Sequence, residues 1–481
     1  MRMRRTKIVC TIGPASSSVE QLDRLAAAGM DVARLNFSHG THAEHADVVR
    51  RIRAGEARWG RPVAILQDLQ GPKIRLGTFG EGGGERVDLE PGRTFSLCRT
   101  PCVGTRERVF VAPPEYLSEV RVGDEIWMDD GMIQLRVEAT TPQEVRCRVV
   151  AGGRISDHKG ISLPHVDLPA SCLTDKDRAD LRFGIDQGVD FVAVSFVRSA
   201  ADIAEVRKFM DEQGADLPIV AKLERQEVIE HLPGVLEVVD AVMVARGDLG
   251  VDVPLEDVPH LQKEIIRQAR RAKVPVIVAT QMLESMVTHI RPTRAEVSDV
   301  STAICDGADA IMLSAETASG RYPAEAVEVM ARIAERAEQA TLAQEAPRRR
   351  REDRPCPVGF PEAVSDAAAT AARSLRARAI VAFTQSGFSA RLISQERPAT
   401  PIIAFTPFAA VQRRLALSWG VTSRLIRKVE TTDEMVEEIE TTLLGDGTVR
   451  VGDVLVIISG SPMWVTGTTN LLKVHRVGEH R

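Results

Sequence analysis

The residues best suited to chemistry lie within positions 218–252. Lys222 and Glu224 follow a short apolar run, and because side chains alternate along a strand, the two should face the same side. Asp248 follows a second apolar run, in a turn whose glycines leave backbone N–H groups open at a helix start. Two carboxylates favour Mg²⁺ or Mn²⁺ held jointly with a phosphorylated substrate, and Lys222 would neutralise charge on a transferring group. A surface ion pair beside an ordinary turn is the alternative interpretation.

Eight short apolar runs, most of them followed by a helical segment, could position these side chains. They span residues 7–12, 32–37, 63–66, 191–197, 219–223, 241–245, 276–279 and 310–313. Eight βα units predict a (β/α)₈ TIM barrel, whose active site lies at the C-terminal ends of the strands. Polar residues fall at that end of the runs: Arg34, Asn36, Asp68, Ser195, Lys222, Glu224, Asp248, Thr280, Ser314 and Glu316.

The pattern changes between residues 71 and 164, where short alternating strands and turn residues replace helix-length periodicity. This predicts a small all-β domain of residues 71–164, inserted as a lid into a barrel formed by residues 1–70 and 165–345. Residues 346–481 should form a C-terminal α/β regulatory domain. The charged, proline-bounded segment 347–355 is predicted to be a solvated linker, with a basic docking patch as the alternative.

Composition limits the possible partners. The 481 residues are 44% hydrophobic and 27% charged, which is typical of a globular protein, and the net charge of −5 argues against broad nucleic-acid binding. The seven cysteines contain no CxxC pair and are predicted to be reduced thiols. No apolar stretch is long enough to cross a bilayer. We therefore expect a cytoplasmic protein with no nucleic-acid or membrane partner.

Eight motifs, in order along the chain, resemble those of the pyruvate kinase family. They are TKIVCTIGPAS, ARLNFSHGTH, GPKIR, KGISLP, AKLE, MVARGDLGV, ATQMLESM and MLSAETASGRYP. The resemblance implies transfer of a phosphoryl group from phosphoenolpyruvate to ADP, giving pyruvate and ATP in the last step of glycolysis. It also implies a homotetramer in which the small β domain closes over the barrel.

The same resemblance implies roles for individual residues. Lys222 would stabilise the transferring phosphoryl group and the enolate, and Glu224 and Asp248 would hold Mg²⁺ or Mn²⁺. Arg34 would bind the substrate phosphate, and Gly247, Asp248 and Thr280 would bind the substrate carboxylate. Arg75 and Lys159 would bind the nucleotide. Arg198, Ser314 and Glu316 would support the site, and the proton would be delivered near Thr280 and Ser314. His39 adjoins the active end and is a further candidate for the nucleotide.

One departure from the family pattern concerns potassium. Many members bind K⁺ through the positions of Asn36, Ser38, Asp68 and the backbone of Leu69, and they carry glutamate where this chain has Lys73. An ammonium at Lys73 could take the role of the monovalent cation. We therefore predict weak or absent K⁺ dependence.

A second departure concerns the effector. Thr384, Ser386, Gly387 and Ser389 form a hydroxyl-rich turn of the kind that binds phosphate through backbone N–H groups. Ordinary strand-to-helix capping is an equally good interpretation of the turn alone. Phe388 stands where several fructose-1,6-bisphosphate-activated members carry a basic residue, so AMP or a sugar monophosphate is favoured over the bisphosphate.

Two other functions fit parts of the sequence. A metal-dependent lyase or aldolase would also stabilise an enolate, but it has no need of the nucleotide-facing Arg75 and Lys159. A non-catalytic metabolite sensor could use the C-terminal turns, but the intact set of Lys222, Glu224, Asp248 and Thr280 argues against it. The chain also lacks a GxxxxGK[ST] motif, which disfavours a P-loop kinase.

Overall fold

The chain begins with three strands that lie side by side. A computed structural model describes residues 4–129, 131–164, 171–345, 359–462, 465 and 467–479, so the predicted linker 347–355 lies outside the described residues. The first elements are β1 (Lys7–Thr11), α1 (Val19–Ala28), β2 (Val32–Asn36), α2 (His42–Trp59) and β3 (Ala64–Asp68). Side-chain caps fix both helix starts, because Ser18 accepts from Gln21 N and Thr41 forms a capping box with Glu44.

A second, smaller closed barrel follows β3. Its strands and the short pair beside them are β4 (Ile74–Leu76), β5 (Val87–Leu89), β6 (Thr94–Cys98), β7 (Arg108–Ala112), β8 (Glu125–Met128), β9 (Ile133–Thr140), β10 (Glu144–Ala151), β11 (Gly153–Ile155) and β12 (Gly160–Ser162). The closed order is β10-β6-β7-β4-β12-β8-β9, and β5 pairs with β11. This unit has its own apolar core, which includes the fully buried Phe79 and Phe95.

The βα pattern then resumes. Its elements are α3 (Asp175–Gln187), β13 (Phe191–Val194), α4 (Ala200–Glu212), β14 (Ile219–Leu223), α5 (Gln226–Glu230), α6 (Leu232–Leu236), β15 (Ala241–Ala245), α7 (Arg246–Asp252), α8 (Val258–Ala272), β16 (Val276–Ala279), α9 (Arg294–Asp306), β17 (Ala310–Leu313), α10 (Ala315–Ala318) and α11 (Pro323–Glu345). None of the helices in the described residues is both long and apolar enough to cross a bilayer.

Eight parallel strands close into one barrel in the order β1-β17-β16-β15-β14-β13-β3-β2. β3 pairs directly with β13, so the small barrel is inserted between neighbouring staves without interrupting the closure. The predicted fold class, a TIM barrel with an inserted β domain and a C-terminal α/β domain, is confirmed. The strand register brings the C-terminal ends together at one rim, as where Asn36 lies beside Asp68.

The C-terminal unit is a five-stranded sheet flanked by helices. Its elements are α12 (Phe360–Ser374), β18 (Ala379–Phe383), α13 (Phe388–Gln395), β19 (Ile402–Thr406), α14 (Ala409–Arg414), β20 (Val421–Leu425), α15 (Thr432–Gly445), β21 (Val454–Gly460) and β22 (Thr469–Arg476). The strand order is β20-β19-β18-β21-β22, and only β22 is antiparallel. Ala416 and Leu417 belong to the same apolar cluster as the barrel lumen, so this unit seals the barrel base.

A ring of aspartates joins the strands at that base. One aspartate stands immediately before every second strand of the large barrel, namely before β2, β13, β15 and β17. These residues are Asp31, Asp190, Asp240 and Asp309. The carboxylate of each accepts the backbone N–H of the preceding stave, from Ile8, Ile65, Ile219 and Val276 respectively, at 2.8–2.9 Å. The ring therefore fixes the bottom of the barrel two staves at a time.

Candidate active site

Lys222 lies at the centre of the opposite rim, at the end of β14. Its Nζ is 2.6 Å from Glu224 Oε1 and 3.5 Å from Asp68 Oδ1, and it donates to Ser195 Oγ at 2.8 Å. Although burial disfavours the charged form, the carboxylates of Asp68 and Glu224 raise the pKa of Lys222 above its ordinary value. Lys222 is therefore a fixed, permanently charged ammonium.

Arg34 and Asp68 form a second ion pair beside this lysine. Arg34 Nε lies 2.6 Å from Asp68 Oδ2, and Arg34 Nη1 donates to Thr11 Oγ1 at 3.0 Å. Burial opposes ionisation of Asp68, but the charges of Lys222 and Arg34 still hold its pKa below the usual range. Two cations and two carboxylates thus alternate across the ends of β2, β3 and β14.

Gly247 and Thr280 meet on the other side of Lys222. The Gly247 N–H donates to Thr280 Oγ1 at 2.8 Å, at the start of α7. Thr280 has a φ of +68°, which a β-branched residue adopts only under strain. The Thr280 carbonyl accepts from Arg246 at 2.6 Å, and Arg246 is anchored to Asp299 at 2.7 Å. The strained turn is therefore held by its neighbours.

Ser314 completes the rim at the end of β17. Its backbone N–H donates to Glu316 Oε2 at 2.7 Å, and Glu316 Oε1 accepts from Leu283 N at 3.0 Å. Glu316 thus ties the ends of two neighbouring βα units together. The Ser314 hydroxyl is buried and has no hydrogen-bond partner among the described residues.

A cleft of about 430 Å³ separates this rim from the inserted β domain. All three nucleotide candidates, His39, Arg75 and Lys159, line it, and so do Glu224 and Asp248. Arg75 donates to the carbonyl of His158 at 3.0 Å, and Lys159 pairs with Asp129 at 2.7 Å. The inserted domain therefore contributes basic residues to the same space as the two carboxylates.

Lys73 lies in this cleft as well, near the positions expected for a monovalent cation. Asn36 Oδ1 accepts from Ser38 N at 3.1 Å, and the Leu69 carbonyl accepts from Ser195 Oγ at 2.8 Å. The described residues place no carboxylate within 4 Å of the Lys73 ammonium. Its charge nevertheless acts on both carboxyls: after larger contributions from burial and Lys222, it adds to the lowering of the pKa of Asp68 and opposes the rise in the pKa of Glu224.

Glu224 and Asp248 suit a divalent cation that is shared with substrate. Burial raises the pKa of Glu224, the charge of Lys222 opposes this, and the charge of Asp248 adds to it. A divalent ion would relieve the repulsion between the two carboxylates, which offer the oxygen ligands that Mg²⁺ prefers. No group of three or more ligating side chains occurs in the described part of the chain, so the protein supplies only part of the coordination shell.

The loop that carries His39 has a support that sequence reasoning missed. His45 of α2 is buried and stacked on Phe37, with ring centroids 4.2 Å apart. Its Nε2 lies 2.9 Å from the His39 carbonyl oxygen, to which it donates. The sequence around His45 does not reveal this role, because burial of His45 depends on where α2 packs.

The effector candidates lie in the C-terminal unit, in the turn between β18 and α13, and not on the barrel that carries the rim. Gly387 N donates to Thr384 Oγ1 at 2.9 Å, and Ser389 Oγ lies 2.6 Å from Thr469 Oγ1. Thr384, Ser386 and Ser389 line one small pocket with the turn that precedes β22, whereas Gly387 lines a neighbouring cavity. Gly387 has a φ of +85°, a conformation that favours glycine at this helix start.

The barrel, the rim of paired charges and the cleft under the inserted β domain are those of a barrel enzyme suited to an anionic substrate and a divalent metal. Comparison with known proteins gives the family. Residues 3–327 match the family described as pyruvate kinase, barrel domain, and residues 362–475 match pyruvate kinase, alpha/beta domain. The chain belongs to the pyruvate kinase family.

Relatives match over the whole length. The chain is 45% identical to a pyruvate kinase of Corynebacterium glutamicum, covering 99% of this chain and 98% of that protein. It is 44% identical to one of Mycobacterium tuberculosis, covering 99% of each. A crystal structure of a pyruvate kinase from Cryptosporidium parvum superposes with a TM-score of 0.89 at 34% identity, covering 98% of this chain and 96% of that one.

The protein is thus a glycolytic phosphotransferase that uses phosphoenolpyruvate and ADP and gives pyruvate and ATP. The lyase and sensor alternatives are set aside. The family generally uses a divalent metal and potassium.

Proposed function

We propose that the rim binds phosphoenolpyruvate between its two positive centres and the start of α7. Arg34 and Lys222 would bind the phosphate, since both carry fixed charges in a buried network. The backbone N–H groups of Gly247 and Asp248 and the hydroxyl of Thr280 would bind the carboxylate, as helix starts favour anions. Substrate would have to displace the Gly247 to Thr280 hydrogen bond.

Lys222 would stabilise the negative charge that develops during phosphoryl transfer. Phosphoryl transfer spreads negative charge over the transferring group and the leaving oxygen, so a preorganised ammonium lowers the barrier. The observation that supports this role best is its position, with Nζ 2.6 Å from Glu224 in a buried site. Glu224 and Asp248 would hold Mg²⁺ or Mn²⁺, which supplies further neutralisation of phosphate and enolate charge when bound.

The nucleotide would occupy the lid cleft. Arg75 and Lys159 would bind the phosphates of ADP, and His39 would contact the nucleotide from the barrel side. Residues 71–164 would then act as a lid that closes over both substrates, on a barrel of residues 1–70 and 165–345. Closure would exclude water and strengthen each charge interaction in the cleft.

The final proton would reach the enolate through hydroxyl groups at the rim. Ser314 has a buried hydroxyl without a partner in the described residues, and Thr280 stands at the end of the neighbouring stave. A bound water would complete the path. In Ser314→Ala we expect slower exchange of solvent deuterium into the methyl group of pyruvate, with phosphoryl transfer retained.

The experiment that tests the reaction is a lactate-dehydrogenase-coupled assay with phosphoenolpyruvate, ADP and Mg²⁺. We expect pyruvate formation that requires all three components and is lost on chelation of the metal. Glu224→Gln should raise the Mg²⁺ concentration needed for half-maximal rate. An unchanged metal requirement in this variant would contradict the assigned role.

We further propose that Lys73 replaces the monovalent cation. The support is its position in the cleft with a charge that acts on Asp68 and Glu224. Activity of the wild type should be similar in potassium and tetramethylammonium buffers, and Lys73→Glu should become potassium-dependent. A strict potassium requirement in the wild type would refute the proposal.

Regulation is proposed to act through the C-terminal unit, residues 346–481, in a homotetramer. The hydroxyl-rich pocket of Thr384, Ser386 and Ser389 lacks a cation on its loop, which favours AMP or a sugar monophosphate over fructose-1,6-bisphosphate. Titration of these three ligands at subsaturating phosphoenolpyruvate would decide between them. Light scattering should give four chains per particle.

A further inference from the structure

A small cavity lies at the base of the barrel, between the C-terminal unit and the N-terminal ends of the barrel strands. Its walls include Ser386 and Gly387 at the start of α13, and Pro218, Asp240 and Pro275 from the barrel. Two arginines, Arg391 of α13 and Arg414 of α14, also line it. The cavity is separate from both the lid cleft and the pocket of Thr384 and Ser389.

The guanidinium of Arg391 makes no hydrogen bond or ion pair with any described residue. Arg391 is partly buried, and this burial lowers its pKa, with the charge of Asp240 opposing and that of Arg414 adding to the effect. A cation that is shielded from solvent and has no partner is unfavourable, so such charges are normally paired. Arg391 is thus a cation whose partner is absent from the chain described.

The neighbouring groups cannot supply that partner. Asp240 is already engaged, since its Oδ2 accepts from Ile219 N at 2.9 Å and it pairs with Arg207. Arg414 donates through Nη2 to the Asp216 carbonyl at 2.9 Å, but its Nε is buried without a partner. Of the described residues, those that line the cavity therefore offer two guanidinium groups with free donors and one carboxylate, which is neutralised from the other side.

Size limits what could fill it. The free space is about 20 Å³, and a cavity needs about 10–15 Å³ to hold one water. A nucleotide or sugar phosphate is far too large. A water molecule would fit, but it would leave the charge of the two arginines uncompensated.

We propose that this cavity is a binding site for one small inorganic anion, with chloride as the ligand in ordinary buffers. The anion would accept from Arg391 and from Nε of Arg414, at the junction of the effector loop and the barrel base. Because Arg391 N also donates to the Gly387 carbonyl at 2.9 Å, an anion here would stabilise the start of α13.

The direct test needs no variant. Crystals of the full chain grown in chloride are transferred to bromide, and anomalous scattering locates the heavier halide. We expect a peak within hydrogen-bonding distance of both guanidinium groups. Density for water alone, or a peak only at other places, would overturn the proposal.

A solution test measures whether the anion matters to the folded protein. The wild type is melted in potassium chloride and in potassium gluconate, whose anion is too large to enter, at equal ionic strength. We expect a midpoint about 2–4 °C higher in chloride, as for a ligand present well above its dissociation constant.

The matched variants are Arg391→Met and Arg427→Met. Arg427 is an arginine of the same unit, exposed and paired with Glu438 at 2.7 Å. Arg391→Met should abolish the difference between chloride and gluconate, and Arg427→Met should keep it. An equal difference in all three proteins, even with a bromide peak present, would show an adventitious halide and refute the proposal.

Discussion

At the rim of the barrel, Lys222 lies between Glu224 and Asp68, the Ser314 hydroxyl has no partner among the described residues, and Thr280 adopts a strained backbone. At the base, the four aspartates of the ring each accept one backbone N–H and pair with at least one arginine. Among the described residues, the rim thus combines its ion pairs with a strained turn and an unpartnered hydroxyl, whereas every aspartate of the base ring is paired. The difference indicates that the rim is built for a ligand and the base for stability, as in barrel enzymes generally.

The largest expected effect is at the rim. Lys222→Met removes the ammonium that we propose faces the transferring group, and loss of one preorganised charge should lower kcat by roughly 10³-fold. The coupled assay measures the rate, and circular dichroism checks folding. The matched control is Lys7→Met, because Lys7 is a buried lysine of the same barrel that donates at the base to the Val421 carbonyl at 2.7 Å. Full activity in Lys222→Met would remove the basis of the proposed chemistry.

The next largest effect should be a loss of stability at the base of the barrel. Asp309 is fully buried and pairs with Arg397 at 2.8 Å, so Asp309→Asn should lower the free energy of unfolding by about 3 kcal/mol. Denaturant unfolding measures this loss. We expect kcat of the folded variant to stay within twofold of wild type. A fall in kcat comparable to that of Lys222→Met would show that rim and base do not divide function from stability.

A smaller effect should appear in the loop that His45 supports. His45→Leu removes the donor to the His39 carbonyl, and one hydrogen bond is worth about 1 kcal/mol, so KM for ADP should rise about fivefold. KM for phosphoenolpyruvate should change less, since that substrate is proposed to bind elsewhere on the rim. His45→Gln keeps a donor and should restore much of the loss.

The control for this loop is His42→Gln. His42 lies on the same helix and its Nε2 is 2.7 Å from Asp180, but no contact of its ring reaches the His39 carbonyl in the described structure. Equal rises in KM for both substrates, or an equal effect from His42→Gln, would argue for general loosening of α2 rather than support of the loop.

The smallest predicted effect is a pH dependence of stability. Burial lowers the pKa of His45 in the folded protein, so the unfolded chain binds the proton more tightly. The stability contributed by neutral His45 is complete above its unfolded pKa of about 6.5 and is lost as pH falls through the folded value. His45→Gln should show a shallower loss of unfolding free energy between about pH 7 and 5. An identical slope in both proteins would contradict this assignment.

Much of the rim follows from sequence alone. Eight short apolar runs ending in polar residues indicated the staves and the face they present. Strand alternation placed Lys222 and Glu224 on one side, and the structure has them 2.6 Å apart. Local rules suffice here because side-chain direction along a strand has a period of two. The change of pattern after residue 71 likewise indicated an inserted β unit, since turn residues and short alternation are local signals.

The base was decided by tertiary structure. The ring aspartates share a sequence signal, one acid directly before every second stave, but their partners come from distant segments such as Arg53 and Arg413 around Asp190. Burial of His45 and the seal formed by Leu417 also depend on which surfaces meet. Periodicity fixes where a side chain points on its own element, whereas the partner it finds depends on packing between elements far apart in the chain.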